Sequence, residues 1–282
     1  MASPSPAASD PSKPSSSQPV AWIVGGSGGF GRILAEEVAS RGYRVVIWGR
    51  QAERCDAAIA EICERIPHAL VDKATVDVLQ AEEVNRQFQK RYEQDQRLDL
   101  LVHCVGKSCR VAAENATPEM YQEWMQWNFQ SAVNTNTVCL PWLIQAKGKL
   151  VNIGSLASRV AWPWIGPYAA GKRALASFTD TLRIELKDRV DVLLVCPGPI
   201  ARDDAGKRYQ EQSQGMAESA NKPGAGAPVK MLDPQQLAKQ IMDSSHAGQA
   251  ELLVPGKTRW LMLAYAISCR WGDGLLARLV KR

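Results

Sequence analysis

A tyrosine and a lysine four residues apart, Tyr168 and Lys172 in the segment YAAGK, form a pair that could do acid–base chemistry. Residues at this spacing lie on one face of a helix, so the ammonium group can sit beside the phenol. A nearby positive charge favours the phenolate and lowers the tyrosine pKa, which makes proton transfer near neutral pH possible. Ser155 follows an apolar run thirteen residues before the tyrosine, and its hydroxyl could orient a substrate oxygen.

A glycine-rich segment near the start of the chain, VGGSGGFG at 24–31, could bind a nucleotide. It joins an apolar run to a helical pattern, and at such a turn backbone N–H groups can approach a pyrophosphate at the helix N-terminus. The spacing fits three motifs, built on Gly26, Gly28 and Gly31, on Gly25, Gly28 and Gly31, or on Gly25, Gly29 and Gly31. Spacing alone therefore does not name a subfamily.

The residues after the second apolar run favour NADP(H) over NAD(H). That run ends in IWG followed by Arg50, with no carboxylate to bind a ribose 2′-hydroxyl and repel a 2′-phosphate. Arg50 could pair with such a phosphate, and Ser27 could add a hydroxyl donor. We also expect Phe30, inside the glycine segment, to contact the cofactor.

Strand and helix patterns alternate between residues 20 and 196. The predicted strands are 20–25, 43–48, 74–76, 98–103, 149–154 and 190–196, and the predicted helices are 32–40, 52–66, 81–93, 117–146 and 167–186. Near-continuous apolar strands suit a parallel sheet covered on both faces. The pattern predicts an α/β fold of one domain with a doubly wound, Rossmann-like parallel sheet. Residues 199–230 lack periodicity and predict a lid or disordered loop, before a helix starting at Asp233 and a last strand at 251–254.

The two ends of the chain differ from the catalytic domain that we expect at 20–256. Residues 1–19 are rich in Ser, Pro and Ala and predict a disordered leader. Residues 257–282 hold six basic residues and one acidic residue, which accounts for the formal net charge of +5. The neutral remainder argues against a nucleic-acid partner. We expect the uncharged run 260–269 to pack on the lid and core, and docking on an anionic membrane surface stays open as the alternative.

Cysteine and histidine usage predicts a cytoplasmic protein without a metal site. The seven cysteines include no C-x-x-C pair, and the three histidines are scattered. No stretch approaches the roughly 20 uncharged apolar residues of a membrane-spanning helix.

Taken together, these features resemble the short-chain dehydrogenase/reductase family over about residues 20–256. The family's glycine motif corresponds to Gly25, Gly29 and Gly31. The resemblance implies four catalytic residues, Asn128, Ser155, Tyr168 and Lys172, in which Asn128 holds a water of a proton relay and Lys172 also binds the nicotinamide ribose. It further implies cofactor contacts at Asp77, Gly106, Pro197, Gly198 and Ile200.

The chain departs from the family pattern at several positions, including Val24, where a threonine usually precedes the glycine motif. The family's N-N-A-G segment reads HCVG at 103–106, and we expect His103 to be a satisfied buried histidine rather than a catalytic one. Arg202 stands where a threonine is common, and it could reach a phosphate or face solvent.

The resemblance implies hydride transfer between a nicotinamide and a carbonyl or alcohol substrate, with ketone reduction as the expected direction. It also implies a homodimer or homotetramer formed through the helices at 117–146 and 167–186. Two alternatives stay open: a sugar-nucleotide epimerase of the extended relatives, and a protein that binds NADP(H) without turnover. Only about 85 residues follow Cys196, which argues against the separate sugar-nucleotide domain of an epimerase.

Overall fold

The structure, a computed structural model, describes residues 18–160, 162–202, 209, 212–213, 215–216, 218–226 and 230–279. The predicted leader at 1–19 therefore lies outside the described residues except for Gln18 and Pro19. The predicted lid at 199–230 is described only in part.

The centre of the fold is a seven-stranded sheet in which every neighbouring pair is parallel. Its strands are β1 (Val20–Val24), β2 (Arg44–Gly49), β3 (Val71–Thr75), β4 (Leu100–His103), β5 (Lys149–Ile153), β6 (Asp191–Pro197) and β7 (Glu251–Val254). The spatial order is β3-β2-β1-β4-β5-β6-β7. The order reverses between β1 and β4, and ligands of such sheets bind at the carboxyl ends of the strands beside that reversal. The predicted doubly wound sheet is confirmed.

Helices cover both faces of this sheet. They are α1 (Gly29–Ser40), α2 (Ala52–Arg65), α3 (Ala81–Asp95), α4 (Pro118–Met125), α5 (Ser131–Ala146), α6 (Gly166–Glu185), α7 (Pro234–His246), α8 (Thr258–Ile267) and α9 (Cys269–Leu279). Apolar side chains of α1, α2 and α7 pack on one face, and those of α3, α5 and α6 pack on the other. The strands are apolar along their whole length because both faces are buried.

Three predicted elements differ from the structure by more than two residues at one end or by an interruption. The third strand begins at Val71 rather than near residue 74, because this edge strand includes the polar residues Asp72 and Lys73 and is only partly buried. Helix α1 begins at Gly29, since the end of the glycine segment is already helical. The helix predicted at 117–146 is interrupted by a π-helical turn at Gln126–Gln130, which the hydrophobic pattern did not indicate.

A buried polar network fixes α5 and α6 against the sheet beneath the site. The Asn136 Nδ2 atom donates to Asn152 Oδ1 at 2.9 Å, and Asn152 Nδ2 donates to the Thr179 hydroxyl at 3.0 Å. Thr179 in turn donates to the carbonyl oxygen of Leu175 at 2.7 Å. These side chains come from α5, β5 and α6, and each has a partner, so the network specifies one arrangement of the three elements.

Among the described residues, no helix is long and apolar enough to cross a membrane.

Candidate active site

The glycine segment between β1 and α1 forms a tight backbone loop. Gly25 and Gly29 have φ angles of 86° and 53°, in the left-handed region that favours glycine. A Cβ atom at Gly31 would lie 2.1 Å from the carbonyl oxygen of Gly25, so no side chain fits there. Gly28 has extended backbone, and a Cβ atom there would meet nothing within 4 Å. The conformation therefore needs glycine at 25, 29 and 31, which selects one of the three spacings.

A groove runs along the carboxyl ends of β1, β2 and β4, beside the first turn of α1. Its wall includes Gly25, Ser27, Gly29, Phe30 and Gly31 from the glycine loop. The loop places backbone N–H groups at a helix N-terminus, where an anionic group is stabilised. The cradle leaves no room for a side chain at Gly31, and this geometry fits the pyrophosphate of a dinucleotide.

The groove ends at basic side chains that follow β2. Arg50 and Arg54 are both exposed and line this end of the groove. A Cβ atom at Gly49 would lie 2.8 Å from the Ser27 hydroxyl oxygen and 2.7 Å from the sulfur of Cys55, so Ser27 occupies the space that a residue-49 side chain would need. This end of the groove therefore presents cations and a hydroxyl to a ligand.

Two cations flank one aromatic ring in the same groove. The guanidinium carbon of Arg50 lies 4.9 Å from the ring centroid of Trp127, and the Lys107 ammonium lies 4.0 Å from it. Trp127 is 9% exposed, and such contacts hold cations over the ring face. They position Arg50 and Lys107 at the mouth of the groove.

Asp77 is placed differently from the other expected cofactor residues. Its carboxylate accepts a hydrogen bond from the backbone N–H of Leu79 at 3.1 Å. The neighbouring Val76 and Val78 line the groove. The structure thus brings the backbone around Asp77 to the groove, while the Asp77 carboxylate caps a turn.

A second cavity adjoins the groove and contains three of the four expected catalytic residues. Ser155, Tyr168 and Lys172 all line it, together with Phe30 and Gly106, which it shares with the groove. The Ser155 Oγ atom accepts a hydrogen bond from the N–H of Ala157 at 3.1 Å at the start of a short 3₁₀ turn. This contact fixes the oxygen while the hydroxyl proton can be donated.

Lys172 is buried where the cavity meets the sheet. Its ammonium donates to the carbonyl oxygen of Ile153 at 2.7 Å, at the end of β5. It is 4% exposed, and this burial lowers its pKa to about 8. Tyr168 lies one turn earlier on α6 and is half-buried.

Asn128 lies behind the cavity, in the π-helical turn. Its Nδ2 atom donates to the carbonyl oxygens of Lys107 and Trp124 at 2.9 and 3.0 Å, and its Oδ1 atom accepts from the N–H of Lys107 at 3.2 Å. A Cβ atom at Gly106 would lie 2.8 Å from this Oδ1 atom and 3.0 Å from the Lys172 ammonium. The absence of a side chain at Gly106 therefore leaves a small space shared by Asn128 and Lys172.

Gly171 sets the distance between Asn128 and the helix of Tyr168. A Cβ atom at Gly171 would lie 2.8 Å from the carbonyl oxygen of Trp124 and 2.9 Å from the Cβ of Asn128. The backbone at the end of α4 and the side chain of Asn128 therefore lie too close to α6 for any residue other than glycine at position 171.

The segment after β6 forms the remaining wall of the second cavity. Pro197, Gly198 and Ile200 line it, and Ile200 forms a parallel bridge with Leu232. Arg202 lines both the cavity and the groove, and its guanidinium lies 3.9 Å from the position of a Cβ at Gly29. The arginine therefore extends over the glycine loop.

His103 is a buried structural residue. Its ring nitrogens lie 3.2 Å from the Ser131 hydroxyl and 3.0 Å from the Thr135 hydroxyl. Burial, with a smaller effect of the Lys172 charge, lowers its pKa to about 3, so the ring stays neutral. The next residue, Cys104, lines both cavities, and burial raises its thiol pKa to about 11. Burial therefore disfavours the charged form of both side chains.

Arg110 is a buried cation in the wall of the second cavity. Its Nε atom donates to the carbonyl oxygen of Ala220 at 2.8 Å, and its guanidinium carbon lies 4.0 Å from the ring centroid of Tyr209. Both partners belong to the segment predicted as a lid. Arg110 thus joins the loop after β4 to that segment.

Several lining residues were missed by sequence reasoning. Arg54 follows Arg50 by four positions, and this spacing on a helix start was a usable signal. Lys107 directly follows the loop glycine Gly106, but Trp127 and Arg110 carry no local signal because tertiary packing brings them to the site. No group of three or more His, Cys, Asp or Glu side chains able to hold a metal ion is found in the described part of the chain.

Comparison with known proteins assigns the fold and site to a family. Residues 19–213 match the model of the family described as short chain dehydrogenase, which is more than half of the chain. The chain belongs to the short-chain dehydrogenase/reductase family. It is therefore an oxidoreductase of the kind that acts on CH–OH and C=O groups.

Two curated relatives illustrate the range of this family. The chain is 28% identical over 273 residues to a probable short-chain type dehydrogenase/reductase, VdlC, of Helicobacter pylori, covering 93% of this chain and 97% of the relative. It is 31% identical over 197 residues to the NADPH-dependent 1-acyldihydroxyacetone phosphate reductase of Saccharomyces cerevisiae, covering 68% of this chain and 65% of the relative.

Solved structures share the fold at lower identity. Actinorhodin polyketide ketoreductase with NADPH matches with a TM-score of 0.74 and 22% identity, covering 84% of this chain and 95% of that one. An alcohol dehydrogenase from the archaeon Thermococcus sibiricus, complexed with 5-hydroxy-NADP, matches with a TM-score of 0.70 and 23% identity over 84% and 95% of the two chains. These likenesses support the Rossmann-like fold of this short-chain dehydrogenase/reductase.

Proposed function

We propose that this chain is an NADP(H)-dependent reductase that converts a carbonyl substrate into an alcohol. The observation that carries the proposal is the convergence of Ser155, Tyr168 and Lys172 on one cavity that opens into the glycine-loop groove. One ligand lying along the groove would present its reactive end to these three side chains.

The preference for NADP(H) rests on the basic end of the groove. Arg50 and Arg54 line it, and no carboxylate lies among its lining residues in the described part of the chain. A 2′-phosphate would make charge-assisted hydrogen bonds with the two guanidinium groups. Arg202, whose guanidinium lies 3.9 Å from the position of a Cβ at Gly29, would bind the pyrophosphate. The NADPH dependence named for the yeast relative supports the same preference.

Four side chains would carry the proton chemistry. When bound, the cofactor supplies the hydride. Tyr168 donates a proton to the carbonyl oxygen, and Ser155 donates a hydrogen bond that holds this oxygen. Lys172 stabilises the resulting phenolate by its charge and holds the nicotinamide ribose. Asn128 keeps the water through which Lys172 exchanges protons with solvent, next to the space at Gly106.

The remaining expected contacts complete the cofactor site in this proposal. Phe30 and Gly106 line both cavities, and Pro197, Gly198 and Ile200 line the substrate side, where the nicotinamide would lie. Asp77 would contribute through the turn that it caps rather than through its carboxylate.

No described element favours the epimerase alternative. After Cys196, α7 packs on α1 and β7 extends the same sheet by pairing with β6. These segments complete the dinucleotide-binding domain and do not form a sugar-nucleotide domain.

The test is a comparison of NADPH and NADH binding, followed by turnover with a panel of ketones and aldehydes. We expect tighter binding of NADPH and loss of its absorbance with at least one carbonyl compound. Equal affinity for the two cofactors would contradict the NADP(H) preference. Binding without turnover of any carbonyl or alcohol would instead favour the non-catalytic alternative.

We also propose that the protein self-associates through α4, α5 and α6. Ile184 on α6 is 73% exposed and Tyr121 on α4 is 40% exposed, so both side chains are available for a contact between two copies of the chain. Light scattering at micromolar concentration should show a dimer or tetramer, and Ile184→Asp should shift it toward the monomer. A monomeric wild type would contradict the proposal.

A further inference from the structure

Four large apolar side chains on the C-terminal helices α8 and α9 are exposed to solvent. Their exposed fractions are 73% for Trp260, 52% for Leu263, 69% for Ile267 and 66% for Trp271. These four residues, here called the tail patch, lie within twelve positions of the sequence. A cluster of this kind marks an interaction surface more often than scattered single residues do.

The tail patch belongs to a packed structure. Leu261 is 4% exposed, and Met262 packs against a buried cluster that includes Leu156 and Leu194. The Tyr265 hydroxyl donates to the Asp273 carboxylate at 3.0 Å, which ties α8 to α9. One face of α8 is therefore anchored on the domain.

The three tail-patch residues of α8 lie on the face opposite the anchored one. Trp260, Leu263 and Ile267 follow the i, i+3, i+7 spacing of a helical stripe. Leu261, Met262 and Tyr265 occupy the other side of the helix. Helix α8 therefore has apolar residues on two opposite sides, and the rest of the domain covers only one of them.

Basic residues lie next to the tail patch in the sequence. Lys257, Arg259, Arg270 and Arg278 are exposed, and none of them forms an ion pair within the described residues. Asp273, the one acidic residue at 257–282, accepts a hydrogen bond from the Tyr265 hydroxyl. The sequence adds Lys281 and Arg282 beyond the described residues. The surface is therefore both apolar and cationic.

We propose that α8 and α9 dock the protein on the surface of an anionic lipid bilayer, with the tail patch in the boundary between headgroups and acyl chains. Apolar burial and attraction to anionic headgroups are the two contributions that bind interfacial helices. Tryptophan suits this depth because its ring is apolar and its N–H can stay hydrated. No described helix could span the bilayer, so the protein would lie on it.

Charge argues for lipid rather than for a second copy of the chain. A symmetric contact through the tail patch would bring two sets of arginines and lysines together, which is unfavourable at an interface. An anionic headgroup layer complements the same charges. The proposal does not depend on the reductase activity.

The experiment is co-sedimentation of the full chain with phosphatidylcholine vesicles that contain 30% phosphatidylserine or none. We expect binding to the anionic vesicles that weakens as salt is raised, because screening reduces headgroup attraction. Arg259→Gln with Arg270→Gln should weaken this binding about 25-fold, at about fivefold for each basic side chain near the surface. Trp260→Ser with Ile267→Ser should weaken it at least as much.

Matched controls use exposed residues elsewhere. Lys187→Gln with Lys239→Gln removes two exposed charges, and Leu70→Ser removes an exposed leucine, so both variants should bind vesicles like the wild type. Circular dichroism and NADPH binding establish that each variant is folded. Absence of vesicle binding by the folded wild type would overturn the proposal. The proposal would also be overturned if the control variants weakened vesicle binding as much as the tail variants do. The same holds if the tail variants changed only the oligomeric state of the protein without lipid.

Discussion

The cofactor groove and the substrate cavity share the carboxyl edge of one sheet, but they are built differently. The groove is formed largely by backbone and short segments next to β1, β2 and β4. The cavity is formed by segments far apart in sequence, including 106–110, 153–168, 197–202 and the described part of 209–231. The groove therefore depends on local conformation at strand ends, whereas the cavity depends on how distant loops meet. The groove suits a ligand that a whole family shares, whereas the cavity allows substrate specificity to vary between family members.

The largest expected effect separates chemistry from cofactor binding. Tyr168→Phe removes the proton-donating hydroxyl in the cavity and leaves the groove intact. We expect kcat to fall about 10³-fold, within the usual range for loss of a general acid. The NADPH dissociation constant, measured by fluorescence titration, should stay within about twofold of the wild type. A variant with near-normal kcat would show that another group supplies the proton.

The converse change should damage the groove. Gly31→Ala forces a Cβ against the carbonyl oxygen of Gly25 and displaces the loop. Loss of the backbone hydrogen bonds to the pyrophosphate should raise the NADPH dissociation constant about 100-fold. Gly274→Ala in α9 is the control, because its Cβ would meet nothing within 4 Å and Gly274 does not line the groove. An NADPH dissociation constant that Gly31→Ala leaves unchanged would mean that the loop is not the pyrophosphate site.

A smaller effect should distinguish the two cofactors within the groove. Arg50→Ala and Arg54→Ala should each weaken NADPH binding about tenfold through loss of a charge-assisted contact with the 2′-phosphate. NADH binding should be nearly unchanged, as should the binding of both cofactors by Arg65→Ala at the far end of α2. Equal losses for NADPH and NADH would place these arginines away from the 2′-phosphate.

In the substrate cavity, replacement of Arg110 should affect substrate binding and leave cofactor binding unchanged. Arg110→Ala leaves the carbonyl of Ala220 without this donor and frees the segment that it holds. We expect KM for the carbonyl substrate to rise about fivefold, the equivalent of one lost hydrogen bond, with unchanged NADPH affinity. A change in NADPH affinity alone would show that this segment serves the groove.

Lys172 lies between the two regions, and its burial predicts a dependence of stability on pH. Its folded-state pKa of about 8 is below the ordinary value of 10.5, so the unfolded chain binds more protons between these two values. Burying the charged ammonium lowers the free energy of unfolding by its full amount below pH 8, and this loss becomes smaller as the pH rises toward 10.5. The melting temperature of the wild type should therefore rise relative to that of Lys172→Met as the pH increases from 8 to 10.5. A constant difference would mean that Lys172 keeps its ordinary pKa when folded.

Much of the fold and part of the site could be predicted from residue patterns. The alternation of apolar runs and helical stripes predicted the parallel sheet, because strands buried on both faces must be apolar throughout. The YAAGK segment and Ser155 predicted a shared site, since strand ends and helix faces fix where such side chains lie. Spacing alone could not choose among the three glycine motifs, and only the family resemblance pointed to Gly25, Gly29 and Gly31, because the choice depends on the φ angles of Gly25 and Gly29 and on the space at Gly31.

The sequence by itself determined most of the helices and strands, the placement of Tyr168 and Lys172 on one helix and the basic character of the tail, because each follows from spacing or composition along one segment. The tertiary structure decided what depends on distant contacts. It brought Arg50 and Lys107 to the ring of Trp127, joined Arg110 to Ala220, and buried His103 and Lys172 deeply enough to shift their pKa values. It also covered one side of α8 and left Trp260 and Ile267 exposed, because exposure depends on which faces the rest of the chain reaches.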